Sequence, residues 1–164
     1  MKSVFIFFTF YVLLLNWLYA QIPADRDVLL NGEGAGQAKY AEMNGYPGPK
    51  HVIELSDTLQ LTMSQRKAVT GIFKEMEARA KELGQRIVRI EEELNTAFRQ
   101  GLVSDRSVKD DTEQIGRLRG RLRAVHLTAH LKTKDVLSKQ QRDLYKVLRG
   151  SGNAGQMKQG EHKH

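Results

Sequence analysis

The 164-residue chain contains no cysteine. That removes disulfide crosslinks, thiolate metal ligands and cysteine nucleophiles together. The common catalytic signatures are missing as well: no His-Glu-x-x-His helix, no phosphate loop and no Gly-x-Ser-x-Gly turn. Asp110-Asp111 falls near a helix start, where the helix dipole accounts for acidic residues. The glycines of Asn31-Gly32-Glu33-Gly34-Ala35-Gly36 have no Gly-Lys-Ser/Thr after them and no buried strand before them, so they read as linker. A slim helical chain also has little interior in which to enclose a substrate. The sequence predicts no enzyme.

What is present begins with a leader. Lys2 precedes a run from Val4 to Leu15 that is apolar apart from Thr9, and Ala20 offers a small residue before Gln21. This is a secretory pattern, with cleavage expected after Ala20 and a periplasmic destination. Leu18, three residues before the cut, is larger than the preferred alanine. The alternative is an uncleaved membrane anchor, since Val4 to Ala20 sits at the short limit of a spanning helix. Tryptophan occurs once, at Trp17, inside this leader. An exported chain without disulfides must be stabilised by packing or assembly. Its formal charge of +7 falls by one if Lys2 leaves with the leader, so the mature protein stays basic. After export, membrane surfaces, acidic polypeptides and lipopolysaccharide-type polyanions are fitter partners than nucleic acid.

Two hexapeptides organise the rest. Leu61-Thr62-Met63-Ser64-Gln65-Arg66 and Leu137-Ser138-Lys139-Gln140-Gln141-Arg142 share the pattern L-[TS]-x-x-Q-R. In each, the hydroxyl of Thr62 or Ser138 can accept from a backbone N–H three residues on, while Gln65 or Gln141 reaches back to the cap's own N–H. Leu61 and Leu137 sit just outside the cap, where an apolar residue fixes the entry angle of the chain. After the first box, Val69, Ile72, Met76, Ala80, Leu83, Ile87, Ile90, Leu94 and Ala97 recur in steps of three and four, predicting one amphipathic helix to about Arg99 that Gly101 ends. Ser104-Asp105 restarts the chain, and Val108, Thr112, Ile115, Leu118, Leu122, Val125, Ala129 and Val136 mark a second long helix. The short connection makes the two antiparallel. A short helix over His51 to Leu59 precedes them, and a final one from Lys139 to about Arg149 follows, with Leu144, Tyr145 and Leu148 inward.

The expected organisation is a signal peptide (1–20), a flexible segment (21–50), a helical hairpin domain (51–149) and a disordered tail (150–164). The fold class is all-α, an antiparallel long-helix hairpin with short flanking helices. Two helices bury only one stripe each, so dimerisation would help to stabilise them. Gly116, Gly120 and Ala124 form a ridge of small residues that would permit close approach of another helix. The plain alternative is that two glycines weaken an exposed helix by about 1 kcal/mol each.

Two L-[TS]-x-x-Q boxes in an exported, cysteine-free helical chain resemble the Spy/CpxP family of periplasmic proteins. The likeness runs from about Asn44 to Gly150. Asn44-Gly-Tyr-Pro-Gly-Pro, the Gly-Arg-Leu-Arg-Gly-Arg-Leu-Arg-Ala run and His126-Leu-Thr-Ala-His130-Leu resemble a subgroup described as periplasmic heavy-metal sensors or refolding chaperones. The resemblance implies a curved hairpin that dimerises into a cradle. It implies ATP-independent protection of unfolded envelope proteins with no required cofactor, or envelope-stress and metal sensing, in which the chain could dock on a sensor kinase's exported domain.

Two candidate sites follow. For client binding, Arg117, Arg119, Arg121 and Arg123 form a basic band around Leu118 and Leu122, mixing long-range attraction with apolar contact. Arg66, Lys67, Lys74, Arg79 and Lys81 add charge on the first long helix. The bland reading is a solvated face whose arginines pair with acids such as Glu91, Glu92 and Glu93. For metal, His126 and His130 lie one helical turn apart and could share an ion, with His51 and Glu54 folding back to complete the set. Three imidazoles and a carboxylate would suit zinc, nickel, cobalt or copper(II). The bland reading there is two half-exposed histidines beside the core stripe. His162 and His164 are weaker candidates in the tail.

Overall fold

The computed structural model describes residues 23–159, with side chains as far as Arg149. The leader and its cleavage point lie outside the described residues, as do His162 and His164. Among the described residues six helices follow in order: α1 Arg26–Asn31, α2 Lys39–Met43, α3 Pro49–Glu54, α4 Met63–Gln100, α5 Asp105–Val136 and α6 Lys139–Gln159. There is no strand among the described residues, and no helix there is long and apolar enough to cross a membrane.

The long helices start and stop where their end residues dictate. Thr62 caps α4 by accepting from the Gln65 N–H at 3.2 Å, and Gln65 Oε1 accepts from the Thr62 N–H at 3.0 Å. Gly101 ends α4 in the left-handed conformation at φ 67°, which glycine adopts without strain. Ser104 caps α5 in a second reciprocal box, its partner being Ser107. The third box opens α6: Ser138 accepts from the Gln141 N–H at 3.2 Å, and Gln141 Oε1 accepts from the Ser138 N–H at 2.9 Å.

The apolar stripes of α4 and α5 meet in a core of Ala80, Leu83, Ile87, Val88, Ile90, Ile115, Leu118 and Leu122, joined by Leu29 from α1. A second cluster, Val52, Leu59, Leu61, Val69, Leu137 and Tyr145, closes the end where the hexapeptides meet. Some expectations need correction. α3 stops at Glu54 and gives way to turns over 55–60. Thr112 is exposed rather than part of the stripe, and Leu144 is 40% exposed, leaving Tyr145 and Leu148 as the inward residues of α6. α6 also continues to Gln159 instead of ending near Arg149, because glycine lowers helix propensity without forbidding the conformation.

The largest difference is at the N-terminus, where the segment expected to be flexible is docked along the hairpin as a strap. Asp25 takes a bidentate bond from Arg119 at 2.7 and 3.1 Å, and Arg26 donates to Glu92 at 3.1 Å. Leu29 enters the core because Gly84 leaves room for its backbone: a Cβ on Gly84 would overlap the Leu29 carbonyl. Arg123 lies over the Tyr40 ring at 5.4 Å and Lys134 over the Tyr46 ring at 4.5 Å, contacts that attract a cation to the negative ring face. The ridge of Gly116 and Gly120 faces outward, since a Cβ at either position meets nothing within 4 Å.

Candidate functional site

The strap and the hairpin enclose a cleft of about 600 Å³, and all three candidate histidines line it. Each arrives from a different constraint. Pro49 opens α3 with its φ already helical, and Val52, fully buried, holds that turn against the hairpin. This sets His51 at the rim. His126 and His130 lie one turn apart on α5 and are 3% and 6% exposed, so they are buried beneath the strap rather than half-exposed.

His130 Nδ1 lies 2.9 Å from the Tyr46 carbonyl oxygen. A carbonyl can only accept, so Nδ1 carries a proton, and the tautomer with that proton has its lone pair on Nε2. A Cβ at Gly48 would sit 3.2 Å from His130 Nε2, 2.9 Å from its Cε1 and 3.6 Å from His51 Nδ1. A side chain at 48 would crowd the His130 ring, and both ring nitrogens lie within 3.6 Å of the position that Cβ would take. Tyr145, buried in the second cluster, accepts from the Gly48 N–H at 3.4 Å and fixes the same turn.

His126 faces Gly34, where a Cβ would lie 3.6 Å from its Nδ1. Its Nε2 is buried and has no hydrogen-bond partner among the described residues. Such an atom costs free energy unless something satisfies it. Burial lowers the His126 pKa from 6.5, and the neighbouring His130 adds to the effect. Burial also lowers His51, assisted by Arg149 and opposed by Glu42 and Glu54. Both rings are thus neutral near pH 7, the state in which imidazole can bind a metal.

The donor set fits a borderline divalent ion: imidazole nitrogens without thiolate, one orphaned buried nitrogen, and one ring oriented by a backbone carbonyl as metal-ligating histidines commonly are. The fit is of chemistry, not yet of distance. No group of three or more His, Asp and Glu side chains among the described residues could hold an ion as it stands. Glu54, expected in the set, is exposed and outside the cleft lining, whereas Glu42 lines it together with His51. α3 turns Glu54 outward, a detail that spacing from His51 did not reveal.

The expected client-binding band is divided. Leu118 and Leu122 are each 2% exposed and belong to the core, so they correct the expectation that they meet clients. They recur on the same stripe as Ile115, and the strap's Leu29 packs with them. Arg117 is exposed and pairs with Glu113 at 2.8 Å. Arg119 is spent on Asp25 and Glu91, and Arg123 on Tyr40. Among the described residues, Arg121 alone of the four has neither an ion pair nor a ring contact, and it is exposed. Sequence reasoning missed the strap's part in both sites; the one available signal was the pair of glycine clusters, at 32–36 and 45–48, with Tyr40 between them and Tyr46 inside the second.

Comparison with protein-family models, curated proteins and solved structures finds no match to this chain.

Proposed function

We propose that this chain is an exported, non-catalytic helical-hairpin protein of the Spy/CpxP kind that binds a divalent transition-metal ion in the histidine cleft, as a periplasmic metal sensor or resistance accessory. One observation carries the reading. His130 Nε2, its lone pair left free by the Nδ1–Tyr46 bond, and His51 Nδ1 approach the same point above Gly48. The buried His126 Nε2 nearby, without a hydrogen-bond partner among the described residues, supports it. Neutral imidazoles select zinc, nickel, cobalt or copper(II) over the hard ions magnesium and calcium. Calorimetric titration of the metal-free chain with these four ions tests the reading. Saturable binding that His51→Ala and His130→Ala each weaken by at least about tenfold supports it. Undiminished binding in both variants removes the cleft from consideration.

A second reading, an ATP-independent chaperone for unfolded envelope proteins, is favoured by exposed apolar side chains beside basic ones. Phe98 and Leu102, 55% and 73% exposed, flank the hairpin turn near Arg99 and Arg106, and Leu131 is exposed on α5. Such surfaces suit weak, charge-assisted capture. The outward Gly116–Gly120–Ala124 ridge would permit close approach of a second copy. Suppression of client aggregation by the wild type, reduced by Phe98→Ser with Leu102→Ser, would support this reading; equal protection by the variant would remove that surface.

A further inference from the structure

The strap, followed backwards, leads to the free end of the hairpin. Gly32 lies against Lys81, Leu29 against Gly84, and Arg26 bonds to Glu92. α1 therefore runs antiparallel to α4, and its first residue lies nearest the α4–α5 turn. Phe98 is about 9 Å further along α4 than Glu92. Residues 20–22 separate the described chain from the apolar stretch Val4 to Ala20, and a link of that length reaches at most about 11 Å. That stretch therefore joins the fold beside the hairpin turn. The turn itself carries side chains that a lipid surface takes. Phe98 and Leu102 are 55% and 73% exposed, and Arg99 is the only charged residue from Leu94 to Ser104. Arg106, its side chain 92% exposed, follows on the first turn of α5, next to Asp105 and 3.8 Å from Asp110. At a bilayer interface, aromatic and aliphatic groups enter the headgroup boundary while long cationic side chains reach the phosphates. The contact is one of surface only, since no helix among the described residues is long and apolar enough to cross a membrane.

We propose that the α4–α5 turn is a membrane-surface contact, with Phe98 and Leu102 entering the lipid interface and Arg99 and Arg106 meeting anionic headgroups, and that the stretch from Val4 to Ala20 delivers it there. The contact is independent of metal binding. A chain standing on this turn holds His130 about 35–40 Å from the lipid, on the water side. Lipid then takes the two side chains that the chaperone reading gives to unfolded clients, and one experiment separates the two.

The full-length chain is reconstituted with vesicles of phosphatidylethanolamine and phosphatidylglycerol whose brominated acyl chains quench tryptophan. Trp17→Phe removes the one tryptophan. Phe98→Trp and, in a separate protein, Leu131→Trp then each place a single reporter at an exposed position. Leu131 lies on α5 about 40 Å from the turn. The expected result is at least about twofold stronger quenching at position 98 than at 131. Adding Leu102→Asp, or replacing phosphatidylglycerol with phosphatidylcholine, should reduce it. Equal quenching at the two positions, or none at 98, overturns the inference. So does a reporter at 98 that responds to an unfolded, carboxymethylated protein and not to lipid, which would assign the turn to clients.

Discussion

The side-chain amides of Gln65 and Gln141 donate to each other, Gln65 Nε2 to Gln141 Oε1 at 2.9 Å and Gln141 Nε2 to Gln65 Oε1 at 3.0 Å. Each glutamine thus does three things. Its oxygen caps its own helix, the same oxygen accepts from the other glutamine, and its nitrogen also donates to a backbone carbonyl just before the other helix, Gln65 to Val136 and Gln141 to Leu59. The two hexapeptides are one bracket that ties the start of α4 to the start of α6. This explains why glutamine, rather than the glutamate equally suited to a capping box, stands at both positions: only an amide both donates and accepts.

Shared bonds predict non-additivity. Gln65→Ala and Gln141→Ala should each cost about 1–3 kcal/mol, from lost half-buried hydrogen bonds and carbonyls left without partners. The double variant should cost less than their sum by about 0.5 kcal/mol or more, because the mutual pair can be lost only once. Urea unfolding of the four proteins measures the cycle. Additive costs would mean that the two boxes act independently.

Gly84 offers a test in which two effects oppose each other. In an exposed helix, Gly→Ala gains about 1 kcal/mol of helix propensity. Here the new methyl would overlap the Leu29 carbonyl, so α1 must leave the core or α4 must shift. Gly84→Ala should speed amide exchange across residues 25–32 while the rest of α4 stays protected. A variant that is stabilised, with α1 still protected, would place the strap elsewhere.

Acid should release the strap's N-terminal end. The Arg119 guanidinium holds the Asp25 carboxyl below its ordinary 3.8. The unfolded or undocked state therefore takes up the proton first as pH falls. The stabilisation is fully present above about pH 4 and is lost as pH drops through the lowered value. Both side chains are about a third exposed, so the amount is modest, about 1 kcal/mol. Asp25→Asn should show faster strap exchange at pH 7 and no further change from this pair on acidification. A steeper acid response in Asp25→Asn than in wild type would contradict the assignment.

The ends of α4 and α5, the start of α6 and the pairing of α4 with α5 were legible because local signals carry them: a cap hydroxyl three residues before a glutamine, a glycine after the last apolar step, and stripes with period 3.6. The strap was not. Its composition is that of a linker, and its anchors join residues far apart in sequence, Asp25 with Arg119 and Leu29 with Gly84. Gly84 looks in isolation like a weak point in a helix; it is the seat of another backbone. The histidines were legible as a set because His126 and His130 share a face, and the cleft does gather them with His51. Glu54 was a candidate because it lies one helical turn from His51, but α3 places it exposed and outside the cleft lining. Leu118 and Leu122 belong to the α5 stripe at core spacing, and the same periodicity that found them explains why they are unavailable to clients.

Metal binding in the cleft depends most directly on which nitrogen of His130 carries the proton. A long-range proton–nitrogen correlation spectrum of the full-length protein with labelled histidine, recorded during zinc titration, reads both nitrogens of His130. The prediction is a proton on Nδ1 throughout, with Nε2 shifting to a metal-bound value as one zinc per chain is added. A His130 Nε2 signal unchanged at saturating zinc, or metal bound at Nδ1 with the Tyr46 bond broken, would contradict it.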